Sequence, residues 1–212
     1  MAFIGAIVFV EVTTKNSAGR FNNAFILPAL GLILINIPWI LRLALRLKIP
    51  QYIDAYFISL LIAAFIMGEV FGFYDKGLYF DKFMHVITGA VVAVAGFSFF
   101  GCFSNRFKST TSAIVAITII AFCVSMTIAI KWEVLEFAMD TIMRSNAQRW
   151  QDIPSTKYFQ GSGLIDTMWD LIVHMGGAVI ACVAVAIFLK GRPHSTALFI
   201  YRKPKTSQKS SS

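Results

Sequence analysis

Charge is scarce in this chain. Only 14% of its 212 residues are charged, against 57% that are hydrophobic, which is about half the charged fraction of a soluble domain. That shortage excludes a water-soluble globular protein. Cysteine is scarce too: Cys102, Cys123 and Cys182 stand apart, without the paired spacing of a disulfide framework or a zinc knuckle, and read as small residues facing lipid or a neighbouring helix. The short, strictly alternating segments of a membrane-spanning barrel are missing. Residues 1–12 lack the basic start and small-residue cleavage site of a secretory signal and run directly into polar residues 13–23. No soluble domain exists on which the net charge of +8 could form a patch for nucleic acid.

What the chain has instead is length of apolar sequence. Residues 53–70 and 112–130 are predominantly apolar stretches, long enough as helices to cross a hydrocarbon core of roughly 30 Å. Five spans are expected, at about residues 24–45, 53–73, 83–103, 112–137 and 164–189, each bounded by charge, proline or small polar residues. The expected fold is all-α: a polytopic transmembrane helical bundle forming one domain over residues 1–190. Residues 1–12 are a candidate short sixth span, an interfacial segment, or the end of a helix that starts upstream. The long polar connection, residues 138–163, carries Asp140, Arg144, Arg149, Asp152 and Lys157 and ends in Gly161-Ser162-Gly163, so it is a candidate lid. Asp140 and Asp152 read as solvated loop residues. Residues 191–212 are basic, rich in Ser and Lys, and read as a disordered tail.

Alternating the spans across the bilayer puts Arg42, Arg46, Lys48, Arg106, Lys108 and the six basic residues after Leu189 on one side. That side holds eleven of the 19 Lys and Arg and is expected to be cytoplasmic, with the C-terminus.

The acids and histidines are not scattered. A charge in a spanning helix costs several kcal/mol, so such residues ordinarily face a cavity or one another. Asp81 and His85 lie one turn apart at the start of the third span; Glu133 and Glu136 lie one turn apart near the end of the fourth. Asp166, Asp170 and His174 follow at every fourth position along one face of the fifth. The up-and-down topology brings all three clusters to the same non-cytoplasmic depth. Glu69 and Tyr74 arrive there from the second span, and Lys82 and Lys131 add compensating positive charge.

Oxygen and nitrogen ligands from several helices suit a divalent cation such as Mg, Mn, Fe or Zn; the lack of a thiolate at this end disfavours a soft copper or cluster site. Asp81, His85, Glu133, Glu136, Asp166 and Asp170 are the candidate ligands. The Glu-x-x-His repeat of di-iron bundles is absent. Without a metal the same groups could act as paired acid and base. Blander readings stand beside these. Asp81 with Lys82, or Lys131 with Glu133 or Glu136, would form interfacial ion pairs; Asp166 would meet the dipole of its helix; His174 would hydrogen-bond a neighbouring helix. Trp132 and Trp169 would anchor the interface, and Gly176-Gly177-Ala178 would allow close helix packing.

The ordered segments Tyr79-Phe80-Asp81-Lys82-Phe83-Met84-His85-Val86-Ile87-Thr88-Gly89, Trp132-Glu133-Val134-Leu135-Glu136 and Asp166-Thr167-Met168-Trp169-Asp170-Leu171, with Gly176-Gly177-Ala178, resemble the bacterial YjdF-like family of inner-membrane proteins. The similarity includes Ile49-Pro50 and Gly68-Glu69 and covers nearly the whole chain. It implies a multi-pass protein of the bacterial inner membrane and brings no reaction with it. More remotely, Asp-Lys-x-x-His, a middle glutamate and a late Asp-x-x-x-Asp resemble the VanZ-like membrane proteins associated with glycopeptide resistance. Those commonly carry Asn where this chain has His174.

Three functions fit. The preferred one is a membrane-embedded enzyme, a hydrolase or transferase on a lipid-linked or amphipathic substrate, because acids confined to one leaflet make a one-sided pocket. A small proton- or cation-coupled transporter is the second, although no inverted repeat and no span broken at mid-membrane is read from the sequence. A structural or regulatory membrane protein is the third.

Overall fold

The chain is described by a computed structural model at residues 31, 33–45, 47–48, 51–70, 73–76, 78–103, 111–143, 146–151, 161–191 and 201–202, with side chains at most of these positions. Residues 1–12 and most of the tail lie outside the described residues, as do Asp152 and the side chain of Glu69. The described elements are α1 (Ile37–Leu45), β1 (Leu47–Lys48), α2 (Gln51–Ile62), a π-helical continuation of α2 (Ala63–Val70), α3 (Phe73–Lys76), α4 (Leu78–Phe103), α5 (Thr111–Met143), α6 (Ser162–Gly191) and β2 (Tyr201–Arg202). Among the described residues, three helices are long and apolar enough to cross a membrane, over Tyr79–Phe100, Thr111–Ile142 and Ser162–Lys190.

These three pack on one another through buried seams that repeat every fourth residue. On α4 the seam runs through His85, Gly89, Ala93 and Phe97; on α5 through Ala113, Ile117, Ala121, Ser125, Ala129 and Glu133; on α6 through Ser162, Asp166, Asp170, His174, Ala178 and Cys182. A helix turns once in 3.6 residues, so a seam of period four winds around it, and the helices meet by crossing at an angle rather than lying parallel. Small residues at the crossing let the backbones approach. Gly89 and Gly177 are reciprocal notches: a Cβ on Gly89 would collide with the backbone carbonyl of His174, and one on Gly177 with that of Val86. Gly176 is different, since a Cβ there would meet no heavy atom within 4 Å.

The outward faces are apolar. Val115, Ile119, Ile120, Ile128 and Ile130 of α5 and Val179, Ile180, Val183 and Ile187 of α6 are exposed, the arrangement that lipid rather than water favours. Hydroxyls in these helices bond back to the preceding turn, as in Ser98 to the Val94 carbonyl at 2.9 Å, Thr118 to Ile114 at 2.7 Å and Thr127 to Cys123 at 2.8 Å. That leaves no hydroxyl proton of these three facing hydrocarbon unsatisfied.

Several sequence expectations change here. α5 runs to Met143, so Asp140 belongs to the helix; it is buried and accepts hydrogen bonds from the backbone amides of Ala147 at 2.7 Å and Gln148 at 2.9 Å. Polarity alone marked that stretch as loop, whereas burial continues along α5 past Glu133 through Glu136, Met139 and Asp140. The apolar run from residue 53 to 70 is a regular α-helix only to Ile62 and then widens into the π-helix, so it is not uniform. The start of the tail is not featureless either: Tyr201–Arg202 pairs antiparallel with Leu47–Lys48. Arg42 of α1 and Asp54 of α2 form an ion pair at 2.6 Å, each about 30% exposed. Cys182 is buried with its thiol 3.9 Å from the Thr118 carbonyl, and Cys123 is exposed.

Candidate functional site

Successive membrane-length helices run in opposite directions, so the N-terminal turns of α4 and α6 meet the C-terminal turns of α5. The polar residues of all three therefore share one end of the bundle. Lys82 is the hub. Its ammonium lies 2.5 Å from Asp166 Oδ1, 2.7 Å from Asp170 Oδ2 and 3.3 Å from Asp81 Oδ2. Sequence reading paired Lys82 with its neighbour Asp81, but the two shorter contacts are to α6.

On the other side of the carboxylates stands His85. Its Nε2 lies 3.7 Å from Asp81 Oδ1 and 3.6 Å from Asp170 Oδ1, and Asp81, His85 and Asp170 can each offer one ligand atom within 4.8 Å of the others. Asp170 is 1% exposed, yet its Oδ1 has no hydrogen-bond partner. Glu133, 5% exposed, has the Thr167 side chain as its polar neighbour, and Asp166 Oδ2 is buried without a hydrogen-bond partner among the described residues. Glu136 is buried and accepts a hydrogen bond from Trp132 Nε1 at 2.6 Å; Trp132 thus holds an acid in place, while Trp169 is exposed. Five carboxyl groups so placed, on Asp81, Glu133, Glu136, Asp166 and Asp170, exceed the one ammonium among them. In a low-dielectric setting that excess calls for protons or further cations.

One turn deeper lies a second polar layer. His174, 1% exposed, places Nε2 at 3.0 Å from Ser125 Oγ and 3.1 Å from the Ser125 carbonyl, and Ser125 Oγ donates to the Gly89 carbonyl at 2.9 Å. With the serine proton on Gly89, the imidazole donates through Nε2. This layer ties α4, α5 and α6 together, which is the bridging role expected of His174. The His85 and His174 rings are 6.4 Å apart. Ser125→Ala should lower the unfolding free energy by about 1 kcal/mol, the usual scale of an interhelical hydrogen bond in lipid; a thermal melt in detergent unchanged within error would contradict the bridging role. Below this layer lies an apolar cluster of Ala93, Phe97, Ile117, Ala121, Ala178, Cys182 and Leu189, with Ser98, whose hydroxyl donates to the Val94 carbonyl, buried at the same end.

A folded segment borders the site. Gln148 donates to the Thr167 hydroxyl at 2.8 Å, Ser162 donates to the Trp150 carbonyl at 3.0 Å, and Arg149, in a left-handed backbone conformation with φ of 53°, donates to the carbonyl of Tyr74. The Tyr74 ring packs edge-on to Phe80 and against Gly68. Lys131 is exposed and forms none of the ion pairs seen among the described residues, so its expected compensating role is not seen. Ser125, Thr167 and Gln148 were missed from the sequence. Ser125 could have been found as the one polar member of the small-residue seam from Ala113 to Ala129.

A model of one protein family, described as "Predicted membrane protein (DUF2238)", matches residues 1–191. No curated protein and no solved structure matches the chain.

Proposed function

The chain belongs to this family of predicted membrane proteins, and on that footing we propose that it is a membrane-embedded, metal-dependent enzyme acting on a lipid-linked or amphipathic substrate. The YjdF-like resemblance falls within the same family; the VanZ-like one stays part of the proposal and supplies no reaction. The reading includes five spans in a bacterial inner membrane, a cytoplasmic C-terminus and a site on the opposite side.

The observation that carries it is the convergence of Asp81, His85 and Asp170, each of which offers one ligand atom within 4.8 Å of the others. Four ligands at about 2.1 Å around a tetrahedral ion are about 3.4 Å from one another, close to the edges of 3.6 and 3.7 Å found here. Three protein ligands leave a coordination position open, as in catalytic rather than structural sites. The set of two carboxylates and one imidazole suits Zn, Fe, Mn or Mg. A bound ion would supply Lewis acidity. Glu133 and Glu136, beside the triad, are the groups that would carry protons to and from substrate and leaving group.

A cation-coupled transporter is the competing reading, and the π-helix at Ala63–Val70 favours it, since such turns interrupt helices at functional positions. The apolar seam beneath His174 and Ser125 weighs against it, because it offers an ion no polar route through these three helices. The deciding measurement is elemental analysis of the detergent-purified protein, with melts before and after chelation. About one bound ion per chain is expected, with a lower melting temperature after chelation, and Asp81→Asn or His85→Ala should lose the ion. A metal-free wild-type protein whose melt ignores added Zn, Mn and Mg would sink the metal reading.

A further inference from the structure

Lys82 has three N–H donors and no acceptor. Three aspartates surround it, two of them at 2.5 and 2.7 Å and the third at 3.3 Å. The ammonium takes only one carboxylate oxygen from each, and from Asp166 the backbone carbonyl at 3.4 Å as well. For Asp81 and Asp170 that oxygen is Oδ2, and in both residues the remaining Oδ1 is the atom near His85. A carboxylate rotates about its last side-chain bond, so fixing one oxygen fixes the other. Asp166 holds Lys82 most closely and is not part of the triad with His85.

We propose that Lys82 is a positioning residue: by gripping Asp81 and Asp170 through Oδ2, with Asp166 as its anchor, it turns their Oδ1 atoms toward His85 and so sets the geometry in which the triad binds a divalent cation. The proposal rests on the metal reading above. It gives Lys82 a part opposite to the one its charge implies. As a bare positive charge beside the triad, Lys82 would repel a cation, and removing it would tighten binding. As the group that orients two ligands, it promotes binding, and removing it weakens binding. Outer-sphere partners of metal ligands typically contribute roughly 10- to 100-fold in affinity.

Two substitutions separate these roles in the full-length, detergent-solubilised protein. Lys82→Arg keeps the charge but replaces a compact ammonium with a planar fork that cannot meet three carboxylates from the same point. Lys82→Met keeps the length of the side chain and removes the charge. Titration with zinc and with manganese ions by calorimetry, alongside a melt to establish folding, gives the comparison. Both variants are expected to bind the ions roughly 10- to 100-fold more weakly than wild type, with Lys82→Arg still folded. Wild-type affinity in Lys82→Arg, or tighter binding in Lys82→Met, would overturn the positioning role and leave Lys82 as a counter-charge only. Should Lys82→Met not fold, with three aspartates left unpaired, Lys82→Arg decides alone. Absence of binding by the wild-type protein is a separate result, which removes the metal reading itself.

Discussion

Asp170→Asn is expected to abolish divalent-cation binding in a protein that still folds. The side chain is 1% exposed and has two oxygens with different duties: Oδ2 meets Lys82 at 2.7 Å, and Oδ1 faces His85 without a hydrogen-bond partner. Asparagine has the same shape but only one oxygen. Lys82 is donor-only and demands that oxygen, which turns the amide NH2 toward His85, where a cation would sit. The triad then offers one carboxylate oxygen and one nitrogen in place of two oxygens and a nitrogen. The loss should exceed the roughly 10- to 100-fold that follows from disturbing an outer-sphere partner. The fold should survive, because Lys82 keeps Asp166 and Asp81. Calorimetry with zinc on a variant whose melt stays within a few degrees of wild type is the check; undiminished affinity would show that Asp170 is not a ligand.

The second large effect concerns two adjacent glycines. Gly177→Val should prevent α4 and α6 from seating, whereas Gly176→Ala should be neutral or mildly stabilising. A Cβ at Gly177 would drive into the Val86 carbonyl, with the Val86 carbonyl carbon 2.9 Å and its Cα 3.2 Å away. These are backbone atoms on a helix, and they cannot swing aside as a side-chain tip can. Overpacking a well-packed interface typically costs about 1–3 kcal/mol, and a backbone clash at a helix crossing belongs at the top of that range or above it. Val86 follows His85, so the same displacement would pull an imidazole away from Asp170. At Gly176 the space is open, and alanine is favoured over glycine in a helix by about 1 kcal/mol. Melting both variants in one detergent tests the contrast; equal losses would mean that the crossing is not where the notches place it.

The three membrane-length helices were legible because an apolar run of sufficient length has few other uses. Their ends were not. The third span was expected to start at residue 83, yet α4 begins at Leu78, since Asp81 and Lys82 looked like a boundary although they belong to its first turns. The fourth was expected to end at residue 137 and continues to Met143 for the same reason. Hydropathy stops at a polar residue; a helix stops only when its backbone or its packing does. The gathering of Asp81, His85, Glu133, Glu136, Asp166 and Asp170 at one end followed from counting crossings. What counting could not supply was the partner of each oxygen. That Lys82 reaches across to α6, that Arg149 reaches back to Tyr74, and that Ser125 bridges His174 and Gly89 all depend on helix rotation. The π-helix was invisible because nothing in the composition of residues 63–70 separates it from the α-helix before it.

Lys82 and two of its partners lie more than eighty residues apart, on the first and last of the three long helices, and that separation has a consequence for how the protein is made. During synthesis α4 enters the bilayer with its lysine answered only by Asp81. α6 arrives last with Asp166 and Asp170 in its leading turns, and a charged residue in an inserting helix is opposed, by as much as about 2.5–3.5 kcal/mol at the helix centre. The waiting ammonium lowers that penalty, so each half of the contact helps the other to stay in lipid. A nascent chain interrupted before Ser162 would leave Lys82 without its two closest carboxylates, those of Asp166 and Asp170, a recognisable mark of an unfinished molecule for the machinery that removes them.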